Sequence, residues 1–166
     1  MIADEPDFDI RYTAAHDEVP LREWLKDPSI LQEFPVSNPE EVEAFIPNWI
    51  GFQRYKSSVT AVYKDETVGI ATLLLMPYQK LIHHCLSYII VDPAHHGQGI
   101  GTSLVRNLKH LAKDYFHFEK VYCEFYSGNK LESVLARQGF HETLRQEHFV
   151  KDKNNYRARV LMEVDL

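Results

Sequence analysis

Val91-Asp92-Pro93-Ala94-His95-His96-Gly97-Gln98-Gly99-Ile100-Gly101 sets three glycines within five residues, between an apolar run and an amphipathic one. With no Cβ, glycine accepts positive φ and lets successive N–H groups converge on one hollow. A helical period starts at once. Ile100, Leu104, Leu108, Leu111, Ala112 and Tyr115 recur at spacings of three and four, while Arg106, Lys109, His110 and Lys113 cover the other face. The helix's first, unpaired N–H groups and its dipole then address the same hollow. The stretch predicts a strand, an anion-binding loop and a helix, in that order, and so a seat for phosphate or pyrophosphate. A tight turn without a ligand would need only one or two of these glycines. A P-loop would need Gly-Lys-Ser/Thr, and the loop holds no lysine. The dinucleotide fingerprint would need glycine where Thr102 stands, and it belongs after the first strand of a βαβ repeat.

Upstream, Leu81 to Val91 reads as the strand that feeds the loop. Before it, Ser58 to Tyr63 and Thr67 to Met76 flank the polar turn Lys64-Asp65-Glu66 and predict an antiparallel hairpin. Phe8 to Ala14 alternates as a first strand. Pro20 opens a helical run with Leu21, Trp24 and Leu25 on one face, and Asp27-Pro28 closes it. Residues 27–39, with three prolines, read as a loop. Asn38 and Pro39 start a second helix with Val42, Phe45, Ile46 and Trp49 or Ile50 as its buried stripe, which Pro47 should kink or shorten. Downstream, Lys120 to Tyr126 is a strand. Asn129 to Gln138 is a short helix, with Asn129 and Glu132 as a capping pair and Gly139 at its stop. His141 to Lys151 and Arg157 to Leu166 are the closing strands. The order β-α-α-β-β-β-α-β-α-β-β predicts a mixed α/β (α+β) chain, antiparallel in the middle, with one crossover helix between parallel neighbours.

The 166 residues suit a single domain, 1–166, and 45% hydrophobic residues suffice for a core. No apolar run reaches the roughly 18–20 residues that span a bilayer, so no membrane is expected. The acidic start, MIADEPDFD, lacks the basic flank and apolar stretch of a signal peptide, and a cytoplasmic location is expected. Cys85 and Cys123 lie in apolar runs without a C-x-x-C partner and read as reduced core thiols. A net charge of −6 argues against nucleic acid as partner and suits a cationic substrate. A homodimer is compatible with all of this.

The glycine loop resembles the signature of the GNAT superfamily of N-acetyltransferases: a strand ending V-x-P, two residues, then Arg or Gln followed by x-x-G-x-G or G-x-A. Val91, Asp92, Pro93 and His96 to Gly101 fit it at every spacing, and the order of elements is similar over nearly the whole chain. Trp24 to Pro35 and the pair Gly139-Phe140 look like the branch acting on ribosomal-protein N-termini, spermidine and similar amines. The resemblance implies a GNAT-like fold, a twisted, mostly antiparallel sheet of about seven strands with about four helices. It also implies acetyl-CoA as co-substrate and EC 2.3.1 acetyl transfer to a primary amine, on a small molecule, peptide or protein. On that basis Ile89, Ile90, Val91, His96, Gly97, Gln98, Gly99, Ile100, Gly101, Thr102 and Asn129 are expected to hold the cofactor. A strand splayed near Ile89 to Val91, often with a bulge, would admit pantetheine.

Two positions depart from the family. His96 stands where Arg or Gln is usual and is a weaker, pH-dependent partner for pyrophosphate. Counted back from Gly139, the usual tyrosine acid is replaced by Leu135, and Asn129 lies one residue out of register. A non-catalytic acyl-CoA-binding or regulatory domain therefore stays open beside the enzyme. If the chain is an enzyme, period two places His83, Cys85 and Ser87 on one strand face and His84, Leu86 and Tyr88 on the other. His84 is the candidate base or water relay, and Tyr88 or Tyr126 the candidate acid. A structural histidine and packed core tyrosines are the competing readings. Glu33 and Phe34 are candidate substrate contacts on the overhanging loop. No metal is expected, because adjacent strand histidines (His83-His84) point to opposite faces, and the same holds for His95-His96.

Overall fold

The computed structural model describes residues 8–166; the acidic start of the chain, residues 1–7, lies outside them. Among the described residues seven strands form one sheet in the order β1-β2-β3-β4-β5-β7-β6. They are β1 Phe8–Tyr12, β2 Ser58–Tyr63, β3 Glu66–Leu74, β4 His84–Val91, β5 Lys120–Tyr126, β6 His141–Asp152 and β7 Asn155–Asp165. Only β4 and β5 pair in parallel; every other neighbour is antiparallel. The helices are α1 Glu18–Trp24, α2 Pro28–Leu31, α3 Pro39–Ile50, α4 Ile100–His110 and α5 Leu131–Arg137. The mixed, mostly antiparallel architecture is the expected one, with α4 as the crossover. Among the described residues no helix is long and apolar enough to cross a membrane.

Several boundaries differ from the sequence reading. The stretch 27–39 is not all loop, because Asp27 accepts from the Ser29 N–H, Pro28 takes the first helical position, and one turn of helix forms. Pro47 does not shorten α3, which continues to Ile50 while Val42, Ile46, Trp49 and Ile50 bury their side chains. The β2–β3 turn needs only Lys64 and Asp65, both at positive φ, as a two-residue hairpin of matching twist requires. β4 begins at His84, with residues 81–83 in a turn. In α5, Asn129 caps the Leu131 N–H, not Glu132's.

The sheet separates two cores. On one face α4 and α5 bring Ile100, Leu104, Leu108 and Leu135 against Val68, Leu73, Val121 and Phe125. α4 lies very close to β3. A Cβ on Gly69 would stand 2.8 Å from Leu104 Cδ1 and 3.2 Å from the Ile90 carbonyl, so any side chain there would make Leu104 and the β4 backbone give way. On the other face α1, α2 and α3 cover Ile70 and Ile90 with Leu21, Leu25, Ile46 and Trp49.

Beside that second core runs a buried polar chain. Asp17, 0% exposed, accepts from both guanidinium Nη atoms of Arg11 at 2.8 Å, and from Thr67 and Thr60. Thr60 meets Thr13, Thr13 meets Ser58, Ser58 meets Thr72, and Thr72 accepts from the Trp49 indole N–H at 2.9 Å. Burial alone would raise the Asp17 carboxyl; the hydrogen bonds from Arg11, the Ala14 N–H and Thr67 outweigh it and hold the pKa at about 2. A depressed folded pKa contributes stability that is complete above the unfolded value near 4 and is lost as pH falls toward 2. Asp17→Asn should therefore cost about 3 kcal/mol at pH 7, as loss of a buried charged partner does. Urea unfolding at pH 7 and pH 3 should show that gap narrowing in acid; equal gaps at both pH values would contradict the assignment.

Candidate active site in the parted sheet

β4 and β5 pair only from His84↔Lys120 to Ser87↔Cys123. Beyond that β4 continues to Val91 along β3, and β5 continues to Tyr126 along β7, so the two strands part. No bulge produces the opening, since the β3–β4 register runs unbroken from Gly69↔Val91 to Leu74↔Leu86. Alternate backbone groups on the outer edge of β4 past Ser87 have lost a strand partner and face the gap.

The glycine loop closes one end of this gap. Asp92 fastens it, donating its N–H to Val68 O at 2.8 Å while its carboxylate accepts from Ala94 N–H and contacts His95 Nδ1 at 3.1 Å. Gly97 and Gly99 sit at φ +76° and +81°, values that side-chain-bearing residues rarely take. The first α4 hydrogen bond runs from Ser103 N–H to Gly99 O, so the N–H groups of Ile100, Gly101 and Thr102 have no partner within the helix. A Cβ at Gly97 or Gly99 would meet nothing within 4 Å, and one at Gly101 only Val91 Cγ2 at 3.8 Å. The space above these amides is open.

A cleft of about 580 Å³ begins there. Ile89, Ile90, Val91, His96, Gly97, Gly99, Ile100, Gly101, Thr102 and Asn129 all line it, as do Glu33 and Phe34 from the overhang after α2. Gln98 is the one expected cofactor residue outside the lining. His96 Nε2 lies 3.0 Å from Val91 O, so that nitrogen carries the proton and Nδ1 becomes a donor only in the charged ring.

Tyr88 lies on β4 and Tyr126 on β5, one on each side of the parting. Tyr88 packs with Phe34, Phe45 and Trp49 at centroid distances of 5.4–6.4 Å. Burial first, then the Glu124 carboxylate, raises both phenols, Tyr126 to about 12. Both are thus protonated donors at neutral pH. Leu135, at the position of the missing tyrosine, is 0% exposed in the α4–α5 core and does not reach the cleft.

His84 is not brought to this cleft. It begins β4, seven residues and ~23 Å from Val91 at about 3.3 Å per residue, in a separate hollow with Tyr122, Lys120 and Glu163. Burial lowers its pKa. His83 precedes the strand, and its ring stands edge-on to His84 at 4.6 Å, so the two do not point to opposite faces. Cys85 and Cys123 are buried free thiols. Burial pushes both up, Cys123 to about 12 despite the Ser87 hydroxyl at 2.6 Å, which leaves neither as a nucleophile.

Three residues of this region escaped the sequence reading: Glu124, Arg157 and Arg159. Arg157 Nε donates to Ser127 O, Nη1 to Gln32 O, and Nη2 to Tyr126 O and to Glu33 Oε2 at 2.8 Å. It therefore ties the overhang to the end of β5. Arg159 Nη2 donates to Glu124 at 3.0 Å. Arginines at alternate positions of the last strand were the available signal, since period two puts them on one face.

The profile of the Acetyltransferase (GNAT) family matches residues 19–140. A search of curated proteins by sequence finds no match. Among solved structures, the chain is similar to a putative acetyltransferase of Salmonella typhimurium with its cofactor acetyl-CoA, at 15% identity and a TM-score of 0.79 over 95% of this chain and 93% of that one. It is also similar to a ribosomal-protein-alanine N-acetyltransferase from Brucella melitensis, at 17% identity, TM-score 0.76, and 95% and 99% coverage. A chimera of the Vibrio cholerae spermidine N-acetyltransferase SpeG and hSSAT gives 16% identity, TM-score 0.75, and 95% coverage of each chain. At these identities the likeness is one of fold.

Arg157→Met keeps the side chain's bulk and removes its four hydrogen bonds. The segment 27–38 should then open locally, at a gain of ~1–3 kcal/mol for the open form. Limited proteolysis should nick it several-fold faster than in wild type, with the rest of the chain unaffected. Equal nicking rates would show that Arg157 does not hold the overhang.

Proposed function

Because the chain belongs to the acetyltransferase (GNAT) family, we propose that it moves an acetyl group from acetyl-CoA to a primary amine by direct attack within a ternary complex. The observation that carries this reading is an anion-binding loop set at the mouth of a parted strand pair. The pyrophosphate would take the free N–H groups of α4. The pantetheine would run along the open edge of β4 as an added strand, paired to backbone at Ile89 to Val91, which would also polarise the thioester carbonyl.

In the transfer the amine nitrogen forms a bond to the acetyl carbon, the C–S bond breaks, the amine loses a proton and the sulfur gains one. Tyr88 and Glu124 are the first residues past the Ser87↔Cys123 pair, and Tyr126 shares a strand face with Glu124, whose carboxylate Arg159 holds at 3.0 Å; we assign Glu124 the amine's proton, directly or through water, in place of His84. Tyr88 or Tyr126, both held protonated, supplies the thiolate. With both thiols buried and protonated, no covalent acyl-enzyme is invoked.

The acceptor would enter under the overhang, past Glu33 and Phe34. Neighbouring folds act on ribosomal-protein alanine or on spermidine, and the chain's net charge of −6 suits a cationic amine. Buried reduced thiols and an acetyl-CoA donor suit the cytoplasm.

Thiol release from acetyl-CoA should be measured over polyamines, amino acids, N-terminal peptides and aminoglycosides. At least one class should turn over; tight cofactor binding with no turnover on any would point to the binding module instead. Gly101→Asp should fold normally, because its Cβ is unobstructed, yet weaken acetyl-CoA more than tenfold, about 1.4 kcal/mol. Unchanged affinity by calorimetry would remove the basis of the reading.

The assignment of Glu124 is tested by Glu124→Gln. General-base catalysis contributes roughly 10²–10⁴-fold, so kcat at pH 7 should fall about 100-fold, and less at pH 9, where more of the amine is already free. A kcat near wild type at pH 7 would exclude the residue as base.

A further inference from the structure

β6 is the outer strand of the sheet on the side away from β1, and among the described residues no strand pairs with its free edge. All of its residues but Val150 are exposed, over a length of ~40 Å at about 3.4 Å per residue. An edge of this kind presents unpaired N–H and C=O groups and is a template for another strand. Two large apolar side chains stand on it, Leu144 and Phe149, 39% and 51% exposed. At its end, Lys151 and Asp152 have no ion-pair partner among the described residues. The strand reads His141-Glu142-Thr143-Leu144-Arg145-Gln146-Glu147-His148-Phe149-Val150-Lys151-Asp152, and it is complementary to its own reverse. Laid antiparallel on a second copy about a two-fold between Gln146 and Glu147, His141 meets Asp152, Glu142 meets Lys151, Thr143 meets Val150 and Leu144 meets Phe149. Opposite charges fall at both ends, with apolar contacts inside them. A slip of one residue either way sets Glu142 against Asp152 or His141 against Lys151, and the match is lost.

Residues paired across strands must also share a face of the joined sheet. Glu142 and Lys151 are nine residues apart, which in a regular strand would turn them to opposite faces. The bulges of β6 correct this. Glu142 lies opposite Met162 and Lys151 opposite Tyr156, six residues apart on β7, so both stand on the α4–α5 side. His141 opposite Glu163 and Asp152 opposite Asn155 share the other side. Leu144 lies opposite Leu161 on that same side, where the Phe149 ring covers the Arg159 guanidinium at 5.3 Å. Near the two-fold the bulge at 147–149 interrupts the ladder, so recognition rests on the outer pairs. We infer that β6 is the contact between two copies of this chain, paired antiparallel in this register so that two seven-stranded sheets become one. A two-fold uses the same patch on both copies, and the assembly closes at the dimer. Leu144 of the second copy then covers Phe149, which packs on Arg159, the arginine that holds Glu124. The inference goes beyond the acyl-CoA reading and does not depend on it.

Sedimentation equilibrium of wild type, Glu142→Lys, Lys151→Glu and the double exchange tests it. Both side chains are exposed, so the changes leave the core intact. Wild type should be a dimer at micromolar concentration. Each single change sets like charges against each other at two symmetry-related places and should raise the dimer dissociation constant at least tenfold. The double exchange restores opposite charges and should bring the constant back to within threefold of wild type. A monomeric wild type overturns the inference and leaves the edge to another occupant. A dimer indifferent to the single changes puts the contact on another surface and overturns it too. So does a double exchange that dissociates as readily as the single changes, because the pairing of Glu142 with Lys151 is then wrong.

Discussion

The separation of β4 from β5 after four paired residues is the constraint on which the rest of the site depends. Two neighbouring strands in mid-sheet give up part of their ladder, and the exposed backbone must find water or a ligand. Such a gap would zip shut unless each lip were held elsewhere. The β4 lip is held by its unbroken register with β3 and by the Asp92 N–H on Val68 O. The β5 lip is held by β7, through the exchange between Ser127 and Ala158 and through Arg157 on the Tyr126 and Ser127 carbonyls. The sheet thus behaves as two antiparallel halves joined by one short parallel seam.

The two faces then divide the work. α4 must start where β4 ends, or its amides would not meet the gap, and the missing side chain at Gly69 is what lets it lie so close to β3. On the opposite face α3 brings Trp49 to Tyr88. Trp49 is itself fixed by the hydroxyl chain that ends at the buried Asp17 carboxylate. A charge near the first strand and an aromatic cluster beside the cleft are therefore parts of one hydrogen-bonded framework.

What could be read from the sequence follows from how local each feature is. The glycine loop, the α4 stripe and the hairpin are short-range patterns; Val91 to Ala112 carries the loop and most of the stripe within 22 residues, and Ser58 to Met76 carries the hairpin. The overhang helix α2 was signalled too, by Asp27 and Pro28, but three prolines outweighed that signal. His84 was placed on the correct strand face by alternation, yet alternation cannot say at which end of a strand the partner departs. Glu124, Arg157 and Arg159 come together because β7 inserts between β5 and β6, which no local pattern reveals. Leu135 was recognised as a substitution. That the position is sealed inside a core is a property of the α4–α5 packing.

The overhang is bounded at both ends by its own stops. Asp27 caps α2, Asn38 caps α3 through the Glu41 N–H, and the Arg157 contacts at Gln32 and Glu33 hold the stretch between them to the β5 lip. Its ends are set by side chains within the segment, so its length and composition can drift without disturbing the sheet or the glycine loop. On the proposed reading, a chain built this way could exchange one acceptor for another by rewriting about a dozen residues, while the loop assigned to the donor stays as it was.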